Sequence, residues 1–162
     1  MNNNNINIAI IGLGQVGAYL YGELLRNRLN INLLTGKKIN IVAISAKNIK
    51  KKRKIKINKK IFYPNPLNII KKHKIDILFE CIGLADGISK KIVEIALKRK
   101  IHVITPNKAL ISKYGDYLSK IAEKNKVNLE FEASVGGGIP ILRTIKEGLA
   151  TNKISKVYGI LN

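Results

Sequence analysis

The chain has 162 residues, enough for one domain with a sizeable core. Hydrophobic residues make up 46%, which excludes a disordered polyelectrolyte, and no apolar run is long enough to span a membrane. Lys and Arg number 30 against 10 Asp and Glu, for a net charge of +20, yet nearly all the excess is lysine spread along the chain without interleaved aromatics, so no physiological nucleic-acid role is expected.

In chain order, the start Met1-Asn-Asn-Asn-Asn5 has no basic segment or cleavage site and does not read as a signal peptide. Ile6–Ile11 is a short apolar run ending at Gly12 and reads as a buried parallel strand. Helical spacing follows over Ala18–Arg28, then a polar connection over Leu33–Lys38 and a second strand over Ile39–Ile44. The dense basic run Lys47 to Lys60 reads as a surface loop, and Pro64-Asn-Pro66 as a turn opening a helix through Lys72. Strands are expected at Asp76–Glu80, His102–Thr105 and Val127–Phe131, with helices at Ile88–Lys98, Ala109–Lys124 and Ile141–Leu149. Strands alternating with helices imply βαβ units, hence an α/β fold with a Rossmann-type doubly wound parallel sheet. A single cysteine, Cys81, excludes an internal disulfide and suits a reducing, cytoplasmic setting.

Several groups invite chemistry. Gly12-x-Gly14-x-x-Gly17 lies between a strand and a helix, the context in which three glycines allow a tight turn, pyrophosphate approach and close helix–strand packing. The helix start then favours an anion. The second strand ends in Ser45-Ala-Lys47 with no acid to accept from a ribose 2′-hydroxyl. A hydroxyl and a cation suit a 2′-phosphate, so NADP(H) is expected over NAD(H); otherwise Lys47 is simply the first residue of a solvated loop. Lys108 follows a strand end at a helix start, with Asn107 or Thr105 as cap. Three consecutive glycines in Glu132-Ala-Ser-Val-Gly-Gly-Gly-Ile-Pro140 exceed what a strand-to-helix turn needs, and Glu132 either takes part in holding an ion or caps the next helix. Cys81 follows a buried-looking strand with no histidine near it and reads as inert; His73 and His102 lack metal-ligand spacing.

The stretch Glu132–Pro140, with Ile141 after it, resembles the hinge motif of homoserine dehydrogenases. Val103-Ile-Thr-Pro-Asn-Lys-Ala-Leu110 resembles that family's Thr-x-Asn-Lys-Ala loop, and Glu80-x-x-Gly83 its cofactor-side turn. Leu142–Leu149 and Val157–Asn162 are similar to the segments that follow, so the resemblance covers essentially the whole chain in order.

The resemblance implies NAD(P)-linked interconversion of aspartate 4-semialdehyde and homoserine, on the route to threonine, methionine and isoleucine. It implies cofactor contacts at Gly12, Leu13, Gly14, Gln15, Val16, Gly17, Ser45, Lys47, Gly83 and Lys108, with a proton-transfer role for Lys108. It implies a monovalent cation such as sodium at Glu132, Val135, Gly137 and Ile139. On this reading residues 1–131 form the dinucleotide-binding domain, and 132–162 a glycine-rich hinge, connecting helix and first strand (Ser155–Leu161) of a substrate domain. Relatives continue beyond the position of Asn162 with that domain, which carries a second catalytic lysine and makes a homo-dimer or tetramer. This chain alone is therefore expected to be inactive. The alternatives are a non-catalytic dinucleotide-binding module and, behind it, a basic nucleic-acid-associated protein.

Overall fold

The computed structural model describes residues 4–159. Six strands form one sheet: β1 Asn5–Ile11, β2 Lys38–Ser45, β3 Phe62–Tyr63, β4 Ile77–Glu80, β5 His102–Ile104 and β6 Leu129–Glu130. Their order is β3-β2-β1-β4-β5-β6, with every pairing parallel. This is the expected Rossmann-type doubly wound order, and the winding reverses between β1 and β4.

The apolar strands follow from burial on both faces. Along β1 the side chains alternate. Ile8 and Ile10 join Leu13, Tyr21 and Ile44 on one face, while Ala9 and Ile11 join Leu78, Ile92 and Leu110 on the other. Helix α1, Gln15–Arg26, covers the first face through Tyr21. Helices α4, Ile88–Lys98, and α5, Lys108–Asn125, cover the second. In α4 the stripe Ile92, Val93, Ala96 and Leu97 is wholly buried. Each large apolar side chain so buried contributes about 1.5–3 kcal/mol.

Five segments differ from expectation. Leu33–Thr35 belongs to a second helix, α2, Arg28–Thr35, which closes on Gly36 in the left-handed region. The basic run does not simply lie on the surface. Lys54 and Lys56 point out, while Ile55 and Ile57, alternating with them, pack against the α1-side core. The run ends in a 3-10 turn, Lys59–Ile61, and β3, which pairs with the end of β2 before α3, Leu67–Lys72. Strand β6 is shorter than Val127–Phe131, because the Val127 amide closes α5 on the Ala122 carbonyl and Phe131 already leads into a 3-10 turn, Glu132–Ser134. The expected helix Ile141–Leu149 is a short α6, Ile141–Arg143, widening into a π-turn over Thr144–Gly148. Of the expected strand Ser155–Leu161, residues 155–159 carry no regular structure, having no neighbouring ladder to pair with, and 160–162 lie outside the described residues, as do 1–3.

Candidate functional site

A cleft of about 700 Å³ opens at the carboxyl ends of β1, β2 and β4. In open α/β sheets ligands bind there, where the winding reverses. Ile11 and Gly12 come from the end of β1, Ser45 and Ala46 from β2, and Cys81 and Ile82 from β4. The rim carries Lys47, Lys51 and Arg53 on one side and Leu84 and Ile88 on another. Among the described residues no Asp or Glu lines it, so its field favours an anion.

The three glycines of the β1–α1 turn are held for different reasons. Gly12 has φ +94°, and a Cβ on it would lie 2.6 Å from the main-chain carbon and oxygen of Cys81. A Cβ on Gly17 would lie 1.9 Å from the Gly12 carbonyl oxygen. Both are closed by backbone. Around Gly14 a Cβ would meet nothing within 4 Å. Gly14 is also the N-cap of α1 and provides no side-chain cap, which leaves the first-turn amides of Gln15, Val16 and Gly17 for an anion. The Gly12 amide donates to the Ser45 carbonyl at 2.8 Å, tying the turn to β2. Ser45 is buried at the cleft wall; Lys47 is exposed at the rim.

Behind the cleft lies a buried polar hub. Glu80, at the end of β4, is 0% exposed. One of its oxygens accepts from the Ile82 amide (2.8 Å) and the Ser89 hydroxyl (3.1 Å). The other accepts from the Thr105 hydroxyl (2.7 Å) and the Asn107 side-chain amide (3.2 Å). A buried carboxyl group is tolerated only when its acceptors are filled in this way. Asn107 also donates to the Leu84 carbonyl at 2.8 Å and, through its own oxygen, caps α5 by accepting from the Leu110 amide at 3.1 Å. The hub thus joins the β4 loop, α4, β5 and the start of α5.

Lys108 is the first residue of α5, next to that cap, and is exposed. It does not line the cleft itself, but its neighbour Asn107 holds Leu84, which does. Gly83, at φ +87°, stands between Ile82 and Leu84 in the same loop.

The family model described as "Homoserine dehydrogenase, NAD binding domain" matches residues 12–132. The chain belongs to the homoserine dehydrogenase family. It is 36% identical to the homoserine dehydrogenase of Neisseria gonorrhoeae and 34% to that of Bacillus subtilis, in each case over 97% of this chain and 36% of the relative. The crystal structure of a homoserine dehydrogenase from Thiobacillus denitrificans superposes with a TM-score of 0.79 at 32% identity, covering 91% of this chain and 34% of that one. The chain therefore spans about 36% of the length of these curated relatives.

Farther along the chain, Glu132 meets α6. Its two oxygens accept from the amides of Leu142 (2.9 Å) and Arg143 (2.8 Å). Gly136 and Gly137, both at φ +65°, fold the segment back to allow this. The Ile139 carbonyl accepts from the Ile141 amide at 2.9 Å. Each carboxylate oxygen keeps a second lone pair, so capping and cation binding do not compete for the same sites. Val135 follows the 3-10 turn, its amide bonded to the Glu132 carbonyl at 3.0 Å.

Cys81 is half-buried, and burial, with the nearby Glu80 charge, pushes its thiol up to about 12 from 9.0. A raised value keeps the thiol protonated through neutral pH, so it stays inert. Iodoacetamide at pH 8 is expected to label Cys81 about a thousandfold more slowly than free cysteine, given tenfold fewer thiolates per pH unit of displacement. The associated stability is complete below about pH 9 and declines as pH rises towards 12, because the unfolded chain loses the proton first. Labelling at the free rate in folded protein would contradict the burial.

Sequence reasoning missed the Glu80 hub as a hub, Asn107 as the link to Leu84, and Arg53. The first two join residues 23 to 27 apart, beyond any local pattern. Arg53 carried one signal: it is one of only five arginines among 30 basic residues.

Proposed function

We propose that the cleft binds NADP(H) in preference to NAD(H), and that this chain is the cofactor-holding part of a homoserine dehydrogenase acting on homoserine and aspartate 4-semialdehyde. The observation that carries this reading is the contrast between Gly14, where a Cβ would meet nothing within 4 Å, and Gly12 and Gly17, closed by backbone. Packing alone explains the outer two glycines; the middle one is explained by a ligand approaching the chain.

The bound dinucleotide supplies the hydride at its nicotinamide C4. This chain's residues do the rest. Gly12, Leu13, Gly14, Gln15, Val16 and Gly17 cradle the pyrophosphate with main-chain amides and the helix end. Ser45 and Lys47 stand on the adenosine side, and Gly83 and Lys108 on the nicotinamide side. Lys108 Nζ gives a proton to the oxygen of the reduced aldehyde and takes one from homoserine in the other direction. Glu132 with the carbonyls of Val135, Gly137 and Ile139 holds a monovalent cation beside the hinge, and residues 132–162 lead from the dinucleotide domain, 1–131, towards the substrate-binding part. The family's second catalytic lysine and substrate-gripping acids belong to that part, as does homo-oligomer formation. A cytoplasmic setting fits this reaction.

Two titrations test the cofactor reading. Fluorescence quenching is expected to give tighter binding of NADPH than NADH, and Lys47→Glu should weaken NADPH by about tenfold or more by setting a like charge against the 2′-phosphate. Equal affinities in the unsubstituted chain overturn the preference. For the chemistry, this chain joined to the substrate-binding part of a relative should oxidise homoserine, while the 162 residues alone should bind cofactor without turnover. In the joined protein, Lys108→Ala should lower kcat by about 10²–10⁴-fold and leave NADPH affinity within about threefold. Full activity of that variant removes Lys108 from the reaction.

A further inference from the structure

Arg53 makes an unusual set of contacts. Its Nε donates to the Leu13 carbonyl at 3.0 Å. Its Nη1 donates to the carbonyls of Lys51 (2.9 Å) and Ile49 (3.3 Å), and its Nη2 to the Asn48 carbonyl (2.9 Å). All three guanidinium nitrogens therefore end on main chain, and among the described residues Arg53 pairs with no carboxylate. Leu13 lies between Gly12 and Gly14 in the turn over the cleft. Asn48, Ile49 and Lys51 form the segment that carries the rim cations Lys47 and Lys51. Within it the Asn48 side chain accepts from the Lys50 amide at 2.8 Å, a tight Asx turn. Beyond Arg53 the chain is anchored again, with Ile55 Cγ2 3.1 Å from where a Cβ on Gly22 of α1 would stand.

A guanidinium is the residue type best shaped for a bidentate grip on phosphate. Here four of its five N–H donors are already taken by carbonyls, which leaves one Nη2 hydrogen and no bidentate grip. A lysine, by contrast, is a mobile point charge that loses rotamer freedom when it binds, so its selectivity depends on where its backbone is held. We propose that Arg53 is a positioning residue that latches the basic segment to the glycine-rich turn and thereby sets Lys47 and Lys51 as a paired rim for the nucleotide's 2′-phosphate. The proposal rests on the NADP(H) reading above.

The latch and a direct phosphate contact predict different behaviour for a conservative change. Arg53→Lys keeps the charge but cannot bridge four carbonyls; Arg53→Met keeps the stem and loses both. If Arg53 is a latch, both variants should weaken NADPH by about tenfold and NADH by less than about threefold, collapsing the preference. The melting temperature should stay within a few degrees, and trypsin should cut after Lys47, Lys50, Lys51 and Lys52 several times faster in the nucleotide-free protein. Retention of NADPH preference by Arg53→Lys overturns the latch in favour of charge alone. Equal loss for both cofactors overturns the selectivity role. If the unsubstituted chain itself shows no preference, the NADP(H) reading fails, and the latch is then judged by proteolysis: unchanged cleavage in both variants refutes it.

Discussion

Gly14→Val is expected to lower dinucleotide affinity by at least about 100-fold, roughly 2.7 kcal/mol, in a chain that still folds. The isopropyl group would stand where a Cβ now meets nothing within 4 Å, so the fold has room for it and the pyrophosphate does not. Gly17→Ala is the control with the opposite outcome. Its methyl would lie 1.9 Å from the Gly12 carbonyl oxygen, and main chain cannot move aside cheaply. Overpacking of that kind costs about 1–3 kcal/mol or more. Circular-dichroism melts should thus separate the two variants, Gly14→Val near the parent and Gly17→Ala well below it. Unchanged affinity in folded Gly14→Val would remove the phosphate cradle from the account.

Glu80→Ala should be the most destabilising polar substitution. It strips acceptors from four donors at once, the Ile82 amide, Ser89, Thr105 and Asn107. Each buried donor left without a partner costs about 1–3 kcal/mol, and water entering the space offsets part of this. A net loss of about 3 kcal/mol or more is expected. Glu80→Gln discriminates further. With its nitrogen on one side it faces the Ile82 amide; on the other it faces the Asn107 nitrogen. The Ser89 and Thr105 hydroxyls can turn to accept, but the Ile82 amide cannot, and Asn107 can turn only by giving up both Leu84 and its cap on the Leu110 amide. About 1–2 kcal/mol is then lost, and cofactor affinity should fall with it, because the loop carrying Gly83 and Leu84 loosens. Denaturant unfolding that finds Glu80→Gln equal to the parent would show that the hub is not needed to hold the loop.

What could be read from the sequence followed its periodicities. Helix α4 spans the residues its isoleucine and alanine spacing predicts, Ile88–Lys98, and the glycine-rich turn sits between the predicted strand and helix. The errors arise where tertiary partners decide. Val127 has strand chemistry, yet its amide is taken by the end of α5. Phe62 and Tyr63 become a strand only because β2 offers an open edge. Ile55 and Ile57 are hidden among lysines by a two-residue alternation that a charge count blurs into one solvated loop. The site divides in the same way. The glycines, Lys47 and Lys108 belong to local motifs, whereas Glu80 and Arg53 act through contacts up to 27 and 40 residues away in the chain.

The sheet's two edges are strands of two residues each, β3 and β6. In a chain this rich in isoleucine, a long open edge would template the addition of strands from other molecules, the first step of fibrillar aggregation. Two residues present too few unpaired amides to nucleate that growth. The longer apolar strands, β1 and β2, lie inside the sheet and are paired on both sides at Ile8–Ile11 and at Ile44 and Ser45, while Lys38–Ala43 of β2 has no strand on its β3 side and carries exposed Lys38 and Asn40 there. A net charge of +20 adds mutual repulsion between molecules. Resistance to aggregation is thereby spread over short edge strands, a lysine at the open stretch of β2 and the charge of the whole chain.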